Sequence, residues 1–228
     1  MIGGDIDLTP YRDQLRSLPS SLKVVAFSME SDCDLCPSAV RLLDDLGQAA
    51  PQISIERYDL VQHSAKAVEL GVDKAPAFLL SSDGPARVRW FGLPLGHETK
   101  SFVEDLADVA KGAPRFGGAI EERLKAVQRP THIQVFVTPT CPYCPRAARL
   151  AHRFALANPL IRADVIEVNE FPTVGQVYGV QGVPKIVVNN LLQVEGLPSD
   201  GGFAEILELA ADPARLAKAL HHEHESPA

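Results

Sequence analysis

Along the chain, short apolar runs of strand length alternate with longer stretches whose apolar positions recur at helical spacing, and the whole order occurs twice. Leu22-Lys23-Val24-Val25-Ala26-Phe27 reads as a strand, and Val40, Leu42, Leu43 and Leu46 put the next segment on one face of an amphipathic helix. Residues 53–58 form a second strand and residues 65–70 a helix closed by Gly71. Ala75-Pro76-Ala77-Phe78-Leu79-Leu80 is a third strand, opened by a proline at the position where a strand tolerates one. A strand around 87–91 and a helix over 99–110 complete the unit. The second half repeats the order, with strands at 133–137, 163–168, 183–188 and 191–195 and helices at 146–151, 173–178 and 202–211. A short helix precedes each first strand, at 119–128 and near residue 10, where Thr9 is the expected N-cap and Pro10 the first helical residue. Residues 212–220 read as a capped extra helix before a polar tail.

The two halves are copies of one plan. Cys33 and Cys141, Cys36 and Cys144, Pro37 and Pro145, Arg41 and Arg149, Gly71 and Gly179, and Pro76 and Pro184 all share an offset of 108 residues. The glycine- and proline-rich stretch 111–118 is the expected linker. With 228 residues the chain has room for two domains of about 100 each, placed here at 1–117, carrying Cys-Asp-Leu-Cys, and 118–228, carrying Cys-Pro-Tyr-Cys and a short C-terminal extension.

A net charge of −7 and the lack of any basic run argue against nucleic acid as a partner. No apolar run approaches the ~20 residues needed to span a bilayer, and the first residues lack the apolar core of a signal peptide, so a cytoplasmic protein with no membrane partner is expected. In a reducing cytosol paired cysteines point to catalysis or metal rather than to a permanent framework.

The chemistry concentrates at Thr140-Cys141-Pro142-Tyr143-Cys144-Pro145, a strand, a sharp turn and a helix start. The pattern puts Cys141 near the N-cap with Pro142 as the first helical residue. Unpaired N–H groups and the helix dipole there favour a thiolate, a nucleophile at neutral pH. Cys144, one turn deeper, can attack a mixed disulfide formed at Cys141. Cys33 and Cys36 repeat the arrangement, as a working site or as a decayed one kept for structure. Zinc is the metal alternative, but Cys36 and Cys141 lie in separate expected domains, far beyond the usual spacing between ligand pairs, so no metal is assigned. Arg41 and Arg149 read as solvated helix positions, and His63, His97, His132 and His152 as surface residues without a thiol partner. His221-His222-Glu223-His224 reads as a frayed polar tail.

A CxxC at a helix start with a proline opening a strand 43 residues later, twice in one chain, resembles the thioredoxin superfamily. Cys-Pro-Tyr-Cys is the glutaredoxin form, and two such units resemble the glutaredoxin-like protein disulfide oxidoreductases. The resemblance covers about residues 7–211. It implies an α/β protein of two tandem thioredoxin-like folds packed side by side, each a central mixed four-stranded sheet flanked by helices. It also implies cis Pro76 and Pro184, with the residues before them, Ala75 and Val183, pairing with substrate backbone beside the reactive sulfur, and no bound cofactor. Tyr143, at the motif, is a further docking candidate. Two departures stand out. Thr138 occupies the place of the basic residue that glutaredoxins often carry before the first cysteine, which weakens the case for glutathione binding. Phe27 and Val135 occupy the place of the buried thioredoxin acid, so another group must take the proton during resolution.

The expected activity is thiol–disulfide exchange with protein disulfides: Cys141 attacks and Cys144 resolves, and the reverse reaction oxidises a dithiol. Glu30, Asp32 and Asp34 crowd Cys33, whereas Cys141 has no acid as close and has Arg146 nearby. Cys33 is therefore expected to hold its proton more tightly and its disulfide to be harder to reduce, so that electrons from Cys33–Cys36 run downhill to Cys141–Cys144. An alternative is a dedicated electron carrier docking between a flavin-dependent thioredoxin-reductase-like donor and a peroxiredoxin acceptor, and a third reading is a non-catalytic scaffold.

Overall fold

The computed structural model describes residues 5–216. After a turn of 3-10 helix at Thr9–Tyr11, the first half runs α1 (Arg12–Arg16), β1 (Leu22–Ser28), α2 (Cys36–Ala49), β2 (Ile53–Asp59), α3 (Ser64–Leu70), β3 (Ala77–Ser81), β4 (Val88–Phe91) and α4 (Glu98–Lys111). The second half runs α5 (Gly118–Ala126), β5 (Thr131–Val137), α6 (Cys144–Ala157), β6 (Ile161–Glu167), α7 (Pro172–Val177), β7 (Lys185–Val188), β8 (Leu192–Glu195) and α8 (Asp200–Ala211). Every strand and the main helices predicted from the hydrophobic pattern are present. Thr9 differs: Leu8 is the N-cap, and Thr9 lies inside the turn with its N–H donated to Asp7 Oδ1 at 2.8 Å. The cap expected at Asp212 is real, since its Oδ1 accepts from the N–H groups of Ala214 and Arg215. Residues 213–216 are helical, while the rest of that predicted helix and the histidine-rich tail lie outside the described residues.

Each half is a mixed four-stranded sheet flanked by helices. β1 pairs parallel with β2 and antiparallel with β3, which pairs antiparallel with β4. The pattern recurs as β6-β5-β7-β8. The halves do more than pack side by side. β4 pairs parallel with β6, from Val88 opposite Ala163 to Phe91 opposite Ile166, fusing both sheets into one of eight strands ordered β2-β1-β3-β4-β6-β5-β7-β8. As a result β4 is buried at every residue, whereas its counterpart β8 at the free edge alternates between half-buried and exposed.

Strand alternation sends successive side chains to opposite faces and divides the core accordingly. Val24, Ala26, Trp90, Ile133 and Val135 face α2, α4, α6 and α8, where one apolar core runs through both halves. Val25, Phe27, Phe91, Phe136 and Ile166 face the other way, toward α3 and α7. β1 and β5 run in the same direction through the shared sheet, and both CxxC helices lie on the same face.

Charges close the seam on both faces. Arg89 of β4 meets Asp164 of β6 at 3.0 Å and donates to the carbonyls of Leu70 and Gly71, while His132 Nε2 lies 2.8 Å from the second Asp164 oxygen. On the opposite face Asp105 of α4 accepts from Trp90 Nε1 at 3.0 Å and contacts His152 Nδ1 at 2.6 Å and Arg149 Nη1 at 2.5 Å, and Arg149 also reaches Asp108. The expectation of surface residues therefore fails for Arg149 and His152. They are interior partners of a buried carboxylate, which needs such partners to leave water. His132 is likewise partly buried against Asp164, whereas Arg41 is exposed, as expected, and pairs with Asp5 at the surface.

Candidate functional site

At the end of β5 the chain turns through Pro139 and Thr140 and enters α6. The helix begins one residue later than the sequence suggests: Tyr143 is the N-cap, Cys144 the first helical residue, and Pro145 rather than Pro142 the proline of the first turn. Proline suits that place because the first-turn N–H groups have no helical acceptor. Cys141 thus sits in the turn itself, and the Cys144 N–H points back to its sulfur at 3.1 Å. This is the thiolate-favouring donor that a helix start provides, reached from just outside the helix. Cys141 is 7% exposed and Cys144 fully buried, so in the reduced protein Cys141 is the sulfur that a partner can reach. Tyr143 beside them is 66% exposed.

The first half repeats this geometry with differences. Leu35 is the N-cap, Cys36 opens α2 and Pro37 lies in its first turn. Cys36 is buried and Cys33 partly exposed. The backbone donor, Met29 N–H, goes to Cys36 Sγ at 3.3 Å rather than to the accessible sulfur. Asp32, in a left-handed backbone conformation at φ +57°, and Asp34 share the cavity into which Cys33 opens. Both pairs are closed as disulfides, with Cα atoms 5.4 and 5.5 Å apart.

The prolines expected to be cis are cis, at Ala75-Pro76 and Val183-Pro184. Each brings the carbonyl before it to its motif: Cys33 Sγ lies 3.6 Å from Ala75 O and Cys141 Sγ 3.6 Å from Val183 O. All the residues singled out from the sequence, Cys33, Cys36, Ala75 and Pro76 in one half and Cys141, Tyr143, Cys144, Val183 and Pro184 in the other, therefore gather at two matching places. The arrangement can exchange disulfides: an accessible sulfur, a buried second sulfur one turn away and a backbone carbonyl alongside.

Two acids, one buried and one half-buried, carry no mark in the sequence. Of the two apolar residues expected beneath the motifs, Val135 faces α6, but Phe27 faces the opposite side of the sheet, toward α3, since the turn before Cys33 is one residue longer than that before Cys141. Both are buried, and the acids come from elsewhere. Glu98, in the first turn of α4, is 1% exposed, and neither of its carboxylate oxygens has a hydrogen-bond partner among the described residues. Burial, then the charge of Asp105, raises its pKa to about 8; Ser101 opposes them but is not in hydrogen-bonding geometry. Its end of α4 is tied to the Cys141 turn, where His97 N–H donates to Pro139 O at 3.0 Å. Gly96, at φ +60°, lets the two backbones touch; a Cβ there would collide with the Pro139 carbonyl. Further along, α4 and α6 run side by side with Asp105 against Arg149 and His152, which sets Glu98 level with the start of α6. Glu170, after β6, is the second acid. Burial, with the nearby charge of Glu167, raises its pKa to about 8 although Leu93 N–H donates to its Oε1 at 2.6 Å. The internal repeat hides both acids, because 108 residues after Glu98 stands Ile206 and 108 before Glu170 stands Gln62.

Among the described residues, no group of three or more His, Cys, Asp or Glu could hold a metal ion, and no helix is long and apolar enough to cross a membrane.

A thioredoxin-domain family model matches residues 131–208. A protein disulfide oxidoreductase from Aeropyrum pernix is 30% identical in sequence, with a TM-score of 0.80 over 90% of this chain and 94% of that one. The N-terminal domain of the alkyl hydroperoxide reductase AhpF from Enterococcus faecalis is 22% identical and has the same fold, with a TM-score of 0.78 over 87% of this chain and 98% of that domain. The corresponding alkyl hydroperoxide reductase protein of Staphylococcus aureus is 23% identical over 97% of this chain, which spans only 40% of that protein's length. Two CxxC pairs on this fold make the protein a redox protein of the dithiol–disulfide class. The chain belongs to the tandem thioredoxin-fold family of glutaredoxin-like protein disulfide oxidoreductases.

Proposed function

We propose that the protein is a cytoplasmic oxidoreductase that exchanges disulfides with protein substrates at both CxxC pairs, without a bound cofactor. The observation that carries this reading is the pairing, in each half, of an accessible cysteine sulfur with the carbonyl preceding a cis-proline, 3.6 Å away in both. The division into units at residues 117 and 118 fits the stretch without regular structure between α4 and α5.

Cys141 as thiolate, held by the Cys144 N–H, attacks one sulfur of a substrate disulfide whose backbone lies along Val183-Pro184, with Tyr143 at the rim. The other substrate sulfur leaves and takes a proton. Cys144 then gives up its proton and attacks Cys141, releasing the second substrate sulfur as a thiol and closing Cys141–Cys144. Glu98, a buried acid level with the start of α6, is the group suited to move that proton. Cys33 and Cys36, with Ala75-Pro76, play the corresponding parts in the first half.

The two pairs are expected to differ in potential. Cys141 has a backbone donor and Arg146 nearby, though Arg146 is itself held by Asp200 at 2.9 Å. Cys33 faces Asp32 and Asp34. In variants that retain one pair each, titration against glutathione redox buffers is expected to show the Cys33–Cys36 disulfide as the harder to reduce. Equal or reversed potentials would remove the asymmetry.

The likeness to the alkyl hydroperoxide reductase AhpF favours a second reading, a carrier between a flavin-dependent reductase and a peroxiredoxin. Insulin reduction with dithiothreitol as electron source separates the two. The proposed activity predicts rapid precipitation of the reduced insulin chains. No acceleration, with both pairs still cycling reversibly, would replace it with the carrier reading.

A further inference from the structure

Cys33 opens into a cavity of about 720 Å³ that is not built by its own half alone. One wall is the motif turn with Asp32 and Asp34 and another the segment Asp73-Lys74-Ala75-Pro76, but the third is Asn169-Glu170-Phe171, which belongs to the second half and reaches across the seam. The loop is held there by several bonds. Glu167 accepts from the N–H groups of Asn169 and Glu170, and Leu93 N–H donates to Glu170 Oε1 at 2.6 Å. Next to Leu93, Gly92 N–H donates to Pro76 O at 2.8 Å, so Glu170 is anchored one residue from the backbone that holds the cis-proline. Gly92 itself has φ +96°, and a Cβ there would meet Glu167 and Glu170. The glycine is what lets the acid come this close.

We propose that Glu170, supplied by the second half, is the general acid and base of the Cys33–Cys36 site. This rests on reading that pair as a working exchange site. A carboxyl whose Oε1 accepts a backbone N–H carries its proton on Oε2. Burial, with the nearby charge of Glu167 at the end of β6, keeps that proton in place, and Asp32, Asp34 and Asp73 line the same cavity. Lys74, the cation in the wall, is committed to Asp73 and to the face of Phe91, 4.4 Å from its ring centroid. When the Cys33 thiolate attacks a disulfide, the bond between Cys33 and one sulfur forms and the substrate bond breaks. The electron pair goes to the leaving sulfur, which takes the Glu170 proton and departs as a thiol. The Glu170 carboxylate then accepts the Cys36 proton as Cys36 attacks Cys33, and passes it to the second departing sulfur. The protein ends as the Cys33–Cys36 disulfide with Glu170 ionised, and a proton from solvent restores the acid.

A general acid matters when the leaving thiolate is basic and not when it is already stable. In the full chain carrying Cys141→Ser and Cys144→Ser, the reduced first site would be mixed with either of two probes. One is bis(2-hydroxyethyl) disulfide, whose leaving group is an alkyl thiolate; the other is the aromatic disulfide 5,5′-dithiobis(2-nitrobenzoate). Glu170→Gln, which keeps the acceptor for Leu93 N–H, is expected to slow the first reaction by at least about tenfold and the second by less than about twofold. In the parent, the ratio of the first rate to the second should also fall as pH rises through about 8, because ionisation of Cys33 enters both rates alike. An equal loss with both probes would make Glu170 structural and overturn the proposal, as would no loss with either. Absence of exchange in the Glu170 parent itself would instead overturn the reading of Cys33–Cys36 as a working site, and the proposal with it.

Discussion

Replacing Cys141 with serine is expected to cut the rate of insulin reduction about tenfold or more, leaving a residue of activity that disappears when Cys33 is replaced as well. Exchange runs through the thiolate, and the two accessible sulfurs are not equally supported. The Cys144 N–H lies 3.1 Å from Cys141, and a hydrogen bond to a charged group contributes about 1.5–3 kcal/mol. A tenfold change in the ionised fraction takes only about 1.4 kcal/mol. At the first pair the comparable donor goes to Cys36 instead, and three aspartates, Asp32, Asp34 and Asp73, share the cavity with Cys33. Cys33→Ser alone should therefore cost less than half of the turnover. If it costs as much as Cys141→Ser, the pairs act on insulin jointly and the ranking by local donors is wrong.

Above pH 8, the chain carrying Glu98→Gln is expected to be more stable than its parent by on the order of 4 kcal/mol. Glu98 is buried beside Asp105 with no partner for either oxygen among the described residues, and its pKa is raised from 4.5 to about 8. Between those values the folded chain holds a proton that the unfolded chain has released. The unfolded state therefore binds fewer protons, and stability falls as pH rises across the window. Below about pH 4.5 both states hold the proton and this penalty vanishes. Glutamine has the same shape and never ionises, so urea unfolding at pH 5, 7 and 9 should give a flatter profile for the variant, with Glu170→Gln adding a similar change. Parallel profiles for parent and Glu98→Gln would mean that the Glu98 carboxylate finds solvent or a partner when charged.

Much of the architecture is legible in the sequence because it is local. Alternation places β1 and β5, helical spacing places α2 and α6, and the 108-residue offset marks the cysteines and the prolines at once. What stays hidden depends on contacts between the halves. Val88-Arg89-Trp90-Phe91 reads as an ordinary fourth strand, and only its pairing with β6 explains why an arginine and the single tryptophan are buried there. Arg149 and His152 look like surface residues on a helix until α4 brings Asp105 against them. Pro142 reads as the helix opener because the motif alone does not say whether the turn closes before or after Tyr143. Glu98 and Glu170 could not be found by the repeat, since neither is duplicated in the other half.

The shared sheet also fixes how the two pairs can deal with one another. β1 and β5 point the same way and stand four strand spacings apart, counting through β3, β4 and β6. At about 4.8 Å per strand, that sets the two motifs roughly 19 Å from each other along a single rim. Sulfurs must meet to exchange, so the downhill transfer expected between the pairs cannot pass directly within one chain. It has to be ferried by a third molecule that visits both. The same spacing makes the rim bivalent. A client with two disulfides at a comparable span can be held at one end while the other reacts, and the second encounter becomes intramolecular, at an effective concentration in the millimolar range where the geometry allows both ends to engage.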